Sequence, residues 1–252
     1  MELVYKKPEA INANPFPYCP GCMHGTVTKL IAEVIDEFGL REKTIVVLPV
    51  GCGTLGVLLW NMDNICSAHG RAPAVATGIK RTHPEKFVFT YQGDGDLGAI
   101  GFSEIMYAAN RGEKISVIFV NNSIYGMTGG QMAPTTLVGQ RATTCQDGRD
   151  PEREGYPLKI AELIAQLTTP VYVARFAVNT PQNVRAAKEG IKKAFQNQMD
   201  GLGFSLVEIL SNCPTNWGVS PMATLDFIKD QTMKEFPLGV FRDKTEEAAD
   251  EK

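Results

Sequence analysis

No apolar run in this chain reaches the roughly 18 residues of a membrane-spanning helix. The opening Met1-Glu2-Leu3-Val4-Tyr5-Lys6-Lys7 also lacks a signal-peptide core. Positive charge is not in excess: net charge is −3 and the isoelectric point about 5.7. That balance gives no electrostatic case for nucleic acid or an anionic membrane as partner. Histidine is scarce, with three in 252 residues, and no internal repeat occurs. A cytoplasmic protein is expected by default. Cysteine is present in a number that asks for a reason: six, where disulfides are disfavoured, point to metal or redox chemistry.

The length suits one domain or a closely fused pair with a large core. Residues 1–17 read as an extended, Pro-rich arm, 18–241 as the folded domain, and 242–252 as a charged, mobile tail. Gly25 to Phe38 has helical periodicity and closes at Gly39. Buried strands are expected at Ile45–Val50, Phe87–Tyr91, Ile115–Val120, Val171–Val178 and Phe204–Leu210. Helices are expected after Ala72, over Leu97–Arg111 and over Pro181–Gln198. Such alternation predicts an α/β fold with a doubly wound, mainly parallel sheet. Residues 126–157, rich in Gly, Pro, Thr and Gln, show little periodicity and read as a lid or binding loop.

Gly93-Asp94-Gly95 follows the Phe87–Tyr91 strand, and after 25 residues Asn121-Asn122 ends the next strand. Asp94 and Asn122 therefore belong at the carboxyl ends of two strands, where open parallel sheets bind ligands. Glycines let the backbone approach a phosphate, and the following helix N-terminus favours negative charge. A carboxylate and an amide oxygen suit Mg²⁺ shared with a diphosphate. A bare Gly-Asp-Gly is often only a turn. With the Asn pair at this interval, the constellation resembles the thiamine diphosphate (TPP) motif.

Cys19-Pro20-Gly21-Cys22 places two thiols within reach of one centre, while Cys52 and Cys213 each follow a strand on the same edge as Asp94. Four thiolates there suit an iron–sulfur cluster. A structural zinc site and a thioredoxin-type dithiol are the alternatives. Cys66 and Cys145 have no partner at motif spacing and read as packing cysteines.

Together, Tyr18-Cys19-Pro20-Gly21-Cys22-Met23-His24-Gly25, Val50-Gly51-Cys52-Gly53, His69-Gly70-Arg71-Ala72-Pro73-Ala74, Tyr91-Gln92-Gly93-Asp94-Gly95-Asp96, Asn121 to Gln131 and Cys213 to Gly218 resemble one family. It is the TPP-binding beta subunit of 2-oxoacid:ferredoxin oxidoreductases, and the likeness covers nearly the whole chain. Met23 stands where glycine is frequent in that family. The resemblance implies that Cys19, Cys22, Cys52 and Cys213 hold a [4Fe–4S] cluster. It implies that Asp94, Asn122 and the carbonyl of Ile124 hold Mg²⁺ on the diphosphate. Gly51, Cys52, Gly53, Gly93, Gly95, Asp96, Gly126, Met127 and Thr128 would line the cofactor.

The implied reaction is coenzyme A-dependent oxidative decarboxylation of a 2-oxoacid, with ferredoxin reduced. Segments Thr128–Thr136 and Cys213–Gly218 favour a branched-chain 2-oxoacid such as 3-methyl-2-oxobutanoate, or 2-oxoglutarate, over pyruvate. A non-redox TPP decarboxylase or ligase half and a non-catalytic zinc module are the rivals. His24, His69, Arg71 and Thr128 are the candidate catalytic or substrate-contacting residues. For His24 and His69 a plain hydrogen-bonding role is equally open, and for Arg71 an ordinary salt bridge. His83 reads as surface, and Arg141, Arg149 and Arg153 as solvated charges. Trp217 and Met127 read as packing residues. Only the diphosphate-side domain is present, so the glutamate that activates the aminopyrimidine is expected from a pyrimidine-domain (alpha-type) subunit. Further CoA-binding and ferredoxin-like subunits are expected beside it.

Overall fold

The computed structural model describes residues 5–246. Strands β1 (Thr44–Leu48), β2 (Asp63–Cys66), β3 (Phe87–Gly93), β4 (Ser116–Asn121), β5 (Tyr172–Ala177), β6 (Ser205–Leu210) and β7 (Gly239–Asp243) form one sheet in the order β2-β1-β3-β4-β6-β5-β7. Every pairing is parallel except β5 with β7. The helices are α1 (His24–Glu37), α2 (Ala72–Thr82), α3 (Phe102–Asn110), α4 (Pro151–Glu154), α5 (Ile160–Ala165), α6 (Pro181–Met199), α7 (Pro214–Trp217) and α8 (Pro221–Phe227). Among the described residues none is long and apolar enough to cross a membrane.

The five inner strands are largely apolar on both faces because both are covered. Val46, Leu48, Phe89, Ile118, Val120 and Ile209 pack against α1 and α6. Val47, Val88, Val117, Phe119 and Leu206 pack against α2, α3 and α5. Phe87 and Phe195 meet edge-on at 4.8 Å between centroids. Truncating Phe89, fully buried in this aromatic group, costs about 3–5 kcal/mol. The doubly wound arrangement is the one expected, and the buried strands lie where the apolar runs put them.

Several expectations need correction. The arm is not separate from the core: Ala10 and Ile11 are buried, and Ile11 bridges Trp60. The tail expected from Arg242 begins inside β7, where Arg242 pairs with Val173; residues 247–252 lie outside the described residues. The helix expected over Leu97–Arg111 is two pieces. A wide turn over Asp96–Ile100 precedes α3, closed by Gly101 N donating to Asp96 O at 2.8 Å. A side chain on Gly70 or Gly101 would collide with the other's backbone, so the helix opens where the two chains touch. Strands β2 and β7 escaped the pattern because both are edge strands with little buried surface.

Residues 126–157 are not structureless. Bridges Tyr125–Gln131, Val138–Arg149 and Ala142–Cys145 tie them up. Arg149, expected in solvent, is buried and donates to the carbonyls of Ala133, Pro134, Thr136, Glu154, Gly155 and Tyr156.

Candidate functional site

Strands β3 and β4 run side by side, with Gly93 opposite Val120. The next residue after β3 is Asp94, and the next after β4 is Asn122, so the sheet delivers both to one edge. Asp94 is 2% exposed. Its Oδ2 accepts from Thr135 Oγ1 at 2.7 Å and its Oδ1 from the Gly95 amide at 2.9 Å. Burial raises its pKa to about 6, against the pull of these donors. A buried carboxylate with neutral donors only, beside an amide oxygen and a backbone carbonyl, is a donor set that fits a hard cation. Asn122 is fixed at two points: its Oδ1 accepts from Ile124 N at 3.3 Å and its carbonyl from Trp217 Nε1 at 3.1 Å. Ser123 between them has φ 60°, unusual for a non-glycine residue.

A cleft opens here, lined by His24, Gly51, Cys52, Gly53, His69, Gly93, Asp94, Gly95, Asp96, Asn122, Ile124, Gly126, Met127 and Thr128. A Cβ on Gly51 or Gly93 would meet nothing, so backbone is bare toward the cleft and open to a close-approaching phosphate. Gly95 serves differently: a Cβ there would strike the Tyr125 ring at 2.1 Å. The cleft encloses about 90 Å³, against the roughly 300–1,000 Å³ of pockets that bury a whole drug-sized ligand. Larger open grooves of about 640 and 660 Å³ lie elsewhere, the first at the amino ends of the strands.

The thiols occupy the neighbouring space. A Cβ on Gly126 would lie 3.2 Å from Cys52 Sγ and 3.5 Å from Cys213 Sγ, so glycine leaves room between them. Burial, then the neighbouring thiols, push Cys22 to about 11 and Cys52 to about 12. Mutually raised pKa values are what grouped thiols suffer without a metal, and ligation removes that cost. Asn212 braces the group, its side chain meeting Met23 N, Gly21 O and Thr224. Among the described residues, no three His, Cys, Asp or Glu side chains close on a point as one ion needs. Cys145 is buried beside Ala142 and Ile124, whereas Cys66 is exposed at the end of β2.

The candidate catalytic residues divide. His24 is buried and lines the cleft, its Nδ1 2.5 Å from the Tyr91 hydroxyl and its ring stacked on Tyr18. Burial lowers its pKa to about 4, so it is neutral at physiological pH. His69 also lines the cleft, with Nδ1 2.7 Å from Asp96 Oδ1. Thr128 lies at the exposed mouth, joined to Gln131. Arg71 is not brought in: its guanidinium pairs with Glu104 on α3. Asp96 reaches the cleft wall, but its carboxylate takes the amides of Val50 and Gly70 and the Gln92 side chain. It ties three segments of the site together. His83 faces Glu85 on the surface.

Sequence reasoning missed the supporting residues. Asn121 Nδ2 donates to Glu208 Oε1 at 2.8 Å, while its Oδ1 accepts from Ser123 N. Glu208 in turn accepts from Arg175, which is fully buried and also bound to Glu162. A charged residue in each of two buried runs, β5 and β6, was the available signal. Thr135 carried no signal, since its partner Asp94 is 41 positions away.

Residues 51–209 match the family described as thiamine pyrophosphate enzyme, C-terminal TPP binding domain. The ketoisovalerate oxidoreductase subunit VorA of Methanothermobacter thermautotrophicus is 49% identical over 230 residues, covering 91% of this chain and 48% of VorA. The 2-oxoglutarate synthase subunit KorB of Archaeoglobus fulgidus is 37% identical over 216 residues, 86% of this chain and 76% of KorB. A solved 2-oxoglutarate:ferredoxin oxidoreductase from Magnetococcus marinus, with 2-oxoglutarate, coenzyme A and succinyl-CoA bound, matches at TM-score 0.78. That match covers 95% of this chain and 85% of the other at 24% identity, a likeness of fold. The chain spans about half the length of VorA. By sheet, by motif and by these relatives, the chain belongs to the TPP-binding C-terminal domain family, in the branch that contains VorA and KorB.

Proposed function

We propose that the chain is the TPP-binding subunit of a 2-oxoacid:ferredoxin oxidoreductase, acting in CoA-dependent oxidative decarboxylation to acyl-CoA and CO₂. The observation that supports it most is the sharing of one cleft by Asp94, Asn122 and Ile124 with Cys52, beside Cys213. Asp94, Asn122 and the Ile124 carbonyl would hold Mg²⁺, and Cys19, Cys22, Cys52 and Cys213 a [4Fe–4S] cluster. When bound, TPP supplies the electron sink for loss of CO₂ and the cluster accepts electrons singly. The chain's own residues hold and orient. Asp94 would hold the cation that offsets the diphosphate charge, the bare backbone at Gly51 and Gly93 admits the diphosphate, and neutral His24 closes the wall without adding charge.

A cleft of about 90 Å³ takes only the diphosphate end, so a second surface must enclose the rest. In this reading a pyrimidine-domain subunit supplies that wall and the activating glutamate, with CoA-binding and ferredoxin-like subunits beside it. The substrate is a branched-chain 2-oxoacid such as 3-methyl-2-oxobutanoate, favoured over 2-oxoglutarate by the 49% identity to VorA against 37% to KorB.

The test is anaerobic reconstitution with TPP, Mg²⁺, coenzyme A and ferredoxin, against a panel of 2-oxoacids. The isolated chain should not reduce ferredoxin. With its partner subunits it should, and fastest with 3-methyl-2-oxobutanoate. Correct positioning is worth on the order of 10⁵ or more in effective molarity, so the contrast is large. Turnover by the isolated chain refutes the partner requirement, and a preference for 2-oxoglutarate refutes the substrate assignment.

A further inference from the structure

Arg149 is a buried cation whose hydrogen-bond acceptors are all backbone carbonyls. Its Nε meets Gly155 O at 2.7 Å, and Nη1 meets Pro134 O and Thr136 O, both at 2.8 Å, with Ala133 O at 3.5 Å. Nη2 meets Tyr156 O at 2.9 Å and Glu154 O at 3.1 Å. Desolvating a guanidinium is costly unless its donors are satisfied. Here they are satisfied by holding two stretches of loop, 133–136 and 154–156, in one shape.

The residues shaped by that grip are Thr135 and Thr136, both fully buried. Their hydroxyls point to different halves of the site. Thr135 Oγ1 donates to Asp94 Oδ2 at 2.7 Å, beyond the end of β3. Thr136 Oγ1 donates to the Ser123 carbonyl at 2.7 Å, within the turn beyond β4. The same Thr136 oxygen accepts from Ala133 N at 2.9 Å, so its rotamer is locked. Adjacent residues of one loop therefore bridge the two strand ends from outside the sheet. The sheet hydrogen bonds stop at Gly93 and Asn121 and cannot fix the spacing beyond them.

We infer that Thr135 and Thr136, held by Arg149, are positioning residues that set Asp94 and the Asn122–Ile124 turn at the spacing one hard cation needs. Thr135 fixes one carboxylate oxygen of Asp94 and so aims the carboxylate. Thr136 holds Ser123 at its positive φ, the turn that presents Asn122 and Ile124 together. Outer-shell partners of this kind orient ligands before the metal arrives. The inference rests on the reading of Asp94, Asn122 and Ile124 as the Mg²⁺ site.

The test is calorimetric titration of Mg²⁺ into the full chain at fixed TPP, with apo-protein melting measured in parallel. Thr135→Val removes the hydroxyl at nearly constant volume and should weaken Mg²⁺ binding roughly 10- to 100-fold, the usual effect of losing an outer-shell partner. Thr135→Ser should restore it to within a few-fold, because the donor returns. Arg149→Lys keeps the charge but loses the fork, and should weaken Mg²⁺ binding and lower the melting temperature together. Should Thr135→Val fail to fold, Thr135→Ala makes the same comparison. A folded Thr135→Val that binds Mg²⁺ as tightly as wild type overturns the clamp and leaves the metal site standing. Failure of the wild-type chain to bind Mg²⁺ with TPP overturns the metal site itself, and the clamp with it.

Discussion

The two halves of the cleft are built on opposite principles. In the oxygen half, Asp94 is gripped by a threonine hydroxyl and an amide, and Asn122 by Ile124 N and the Trp217 indole. In the sulfur half, Cys213 receives one side-chain donor, Asn216 Nδ2 at 3.2 Å, and Cys22 meets the Asn212 carbonyl and the His24 backbone amide. Burial and mutual repulsion there raise the Cys22 and Cys52 pKa values, away from the ligating thiolate form. The oxygen half holds its donors in fixed positions, although burial also raises the Asp94 pKa to about 6. The sulfur half is arranged by backbone, and in the proposed reading its ionisation would come with the metal. A hard cation gains from fixed donors, whereas strong thiolate bonds can draw their own ligands into place.

The sharpest way to break this contrast is to remove the Asp94 carboxylate from the oxygen half. Asp94→Ala should weaken Mg²⁺-dependent TPP binding on the order of 100-fold or more, beyond the roughly 10–100-fold of outer-shell changes. Asp94→Asn keeps the shape and an oxygen ligand, and should be milder. Unchanged TPP affinity in Asp94→Ala by calorimetry contradicts the assignment.

The sulfur half predicts a different response. Serine at Cys19, Cys22, Cys52 or Cys213 should each lower iron content or alter the visible spectrum of anaerobically prepared protein, because an alkoxide is a poorer cluster ligand. The Asn212 side chain and backbone hydrogen bonds hold these loops without using the thiols, so the apo fold should survive all four. Cys66→Ser and Cys145→Ser should leave iron content as in wild type. Protein from anaerobic cells that carries only zinc refutes the cluster assignment.

The halves also differ in how far they could be read from sequence. The β3 and β4 runs, the Gly-Asp-Gly turn and the Asn pair are local patterns, so Asp94 and Asn122 were legible with their places on the sheet. The cysteines were legible as a group because the strand ends carry Cys52 and Cys213 to one edge. What supports them was not. Thr135 and Arg149 sit in an aperiodic loop, and their value lies in contacts to Asp94 and to carbonyls that carry no side-chain signature. For Arg71 the sequence left a carboxylate clamp and an ordinary salt bridge equally open, because Glu104, which α3 places beside it, lies 33 positions away. The role of the first asparagine of the pair was not legible either: its amide donates to Glu208, 87 positions away.

A last expected effect tests the oxygen half by pH. Asp94 has an ordinary value of 3.8, raised by burial to about 6 in the folded chain. Its folded pKa is above its unfolded one, so the native state binds the extra proton. The associated stability is fully present below about pH 4 and is lost as pH rises through about 6. A shift of this size corresponds to about 3 kcal/mol at most. Without cofactor, wild type should therefore lose stability between pH 4 and 7 relative to Asp94→Asn, whose neutral amide does not titrate. Mg²⁺ with TPP should reverse the trend for wild type, because the cation takes the proton's place and stabilises the folded chain by mass action. Below pH 6 that gain should fade as protons compete for the carboxylate. Urea unfolding of both proteins across this range, with and without Mg²⁺ and TPP, measures it. Parallel curves for wild type and Asp94→Asn in the absence of ligand would show that Asp94 is already ionised at little cost, and that the oxygen half is no less solvated than the surface.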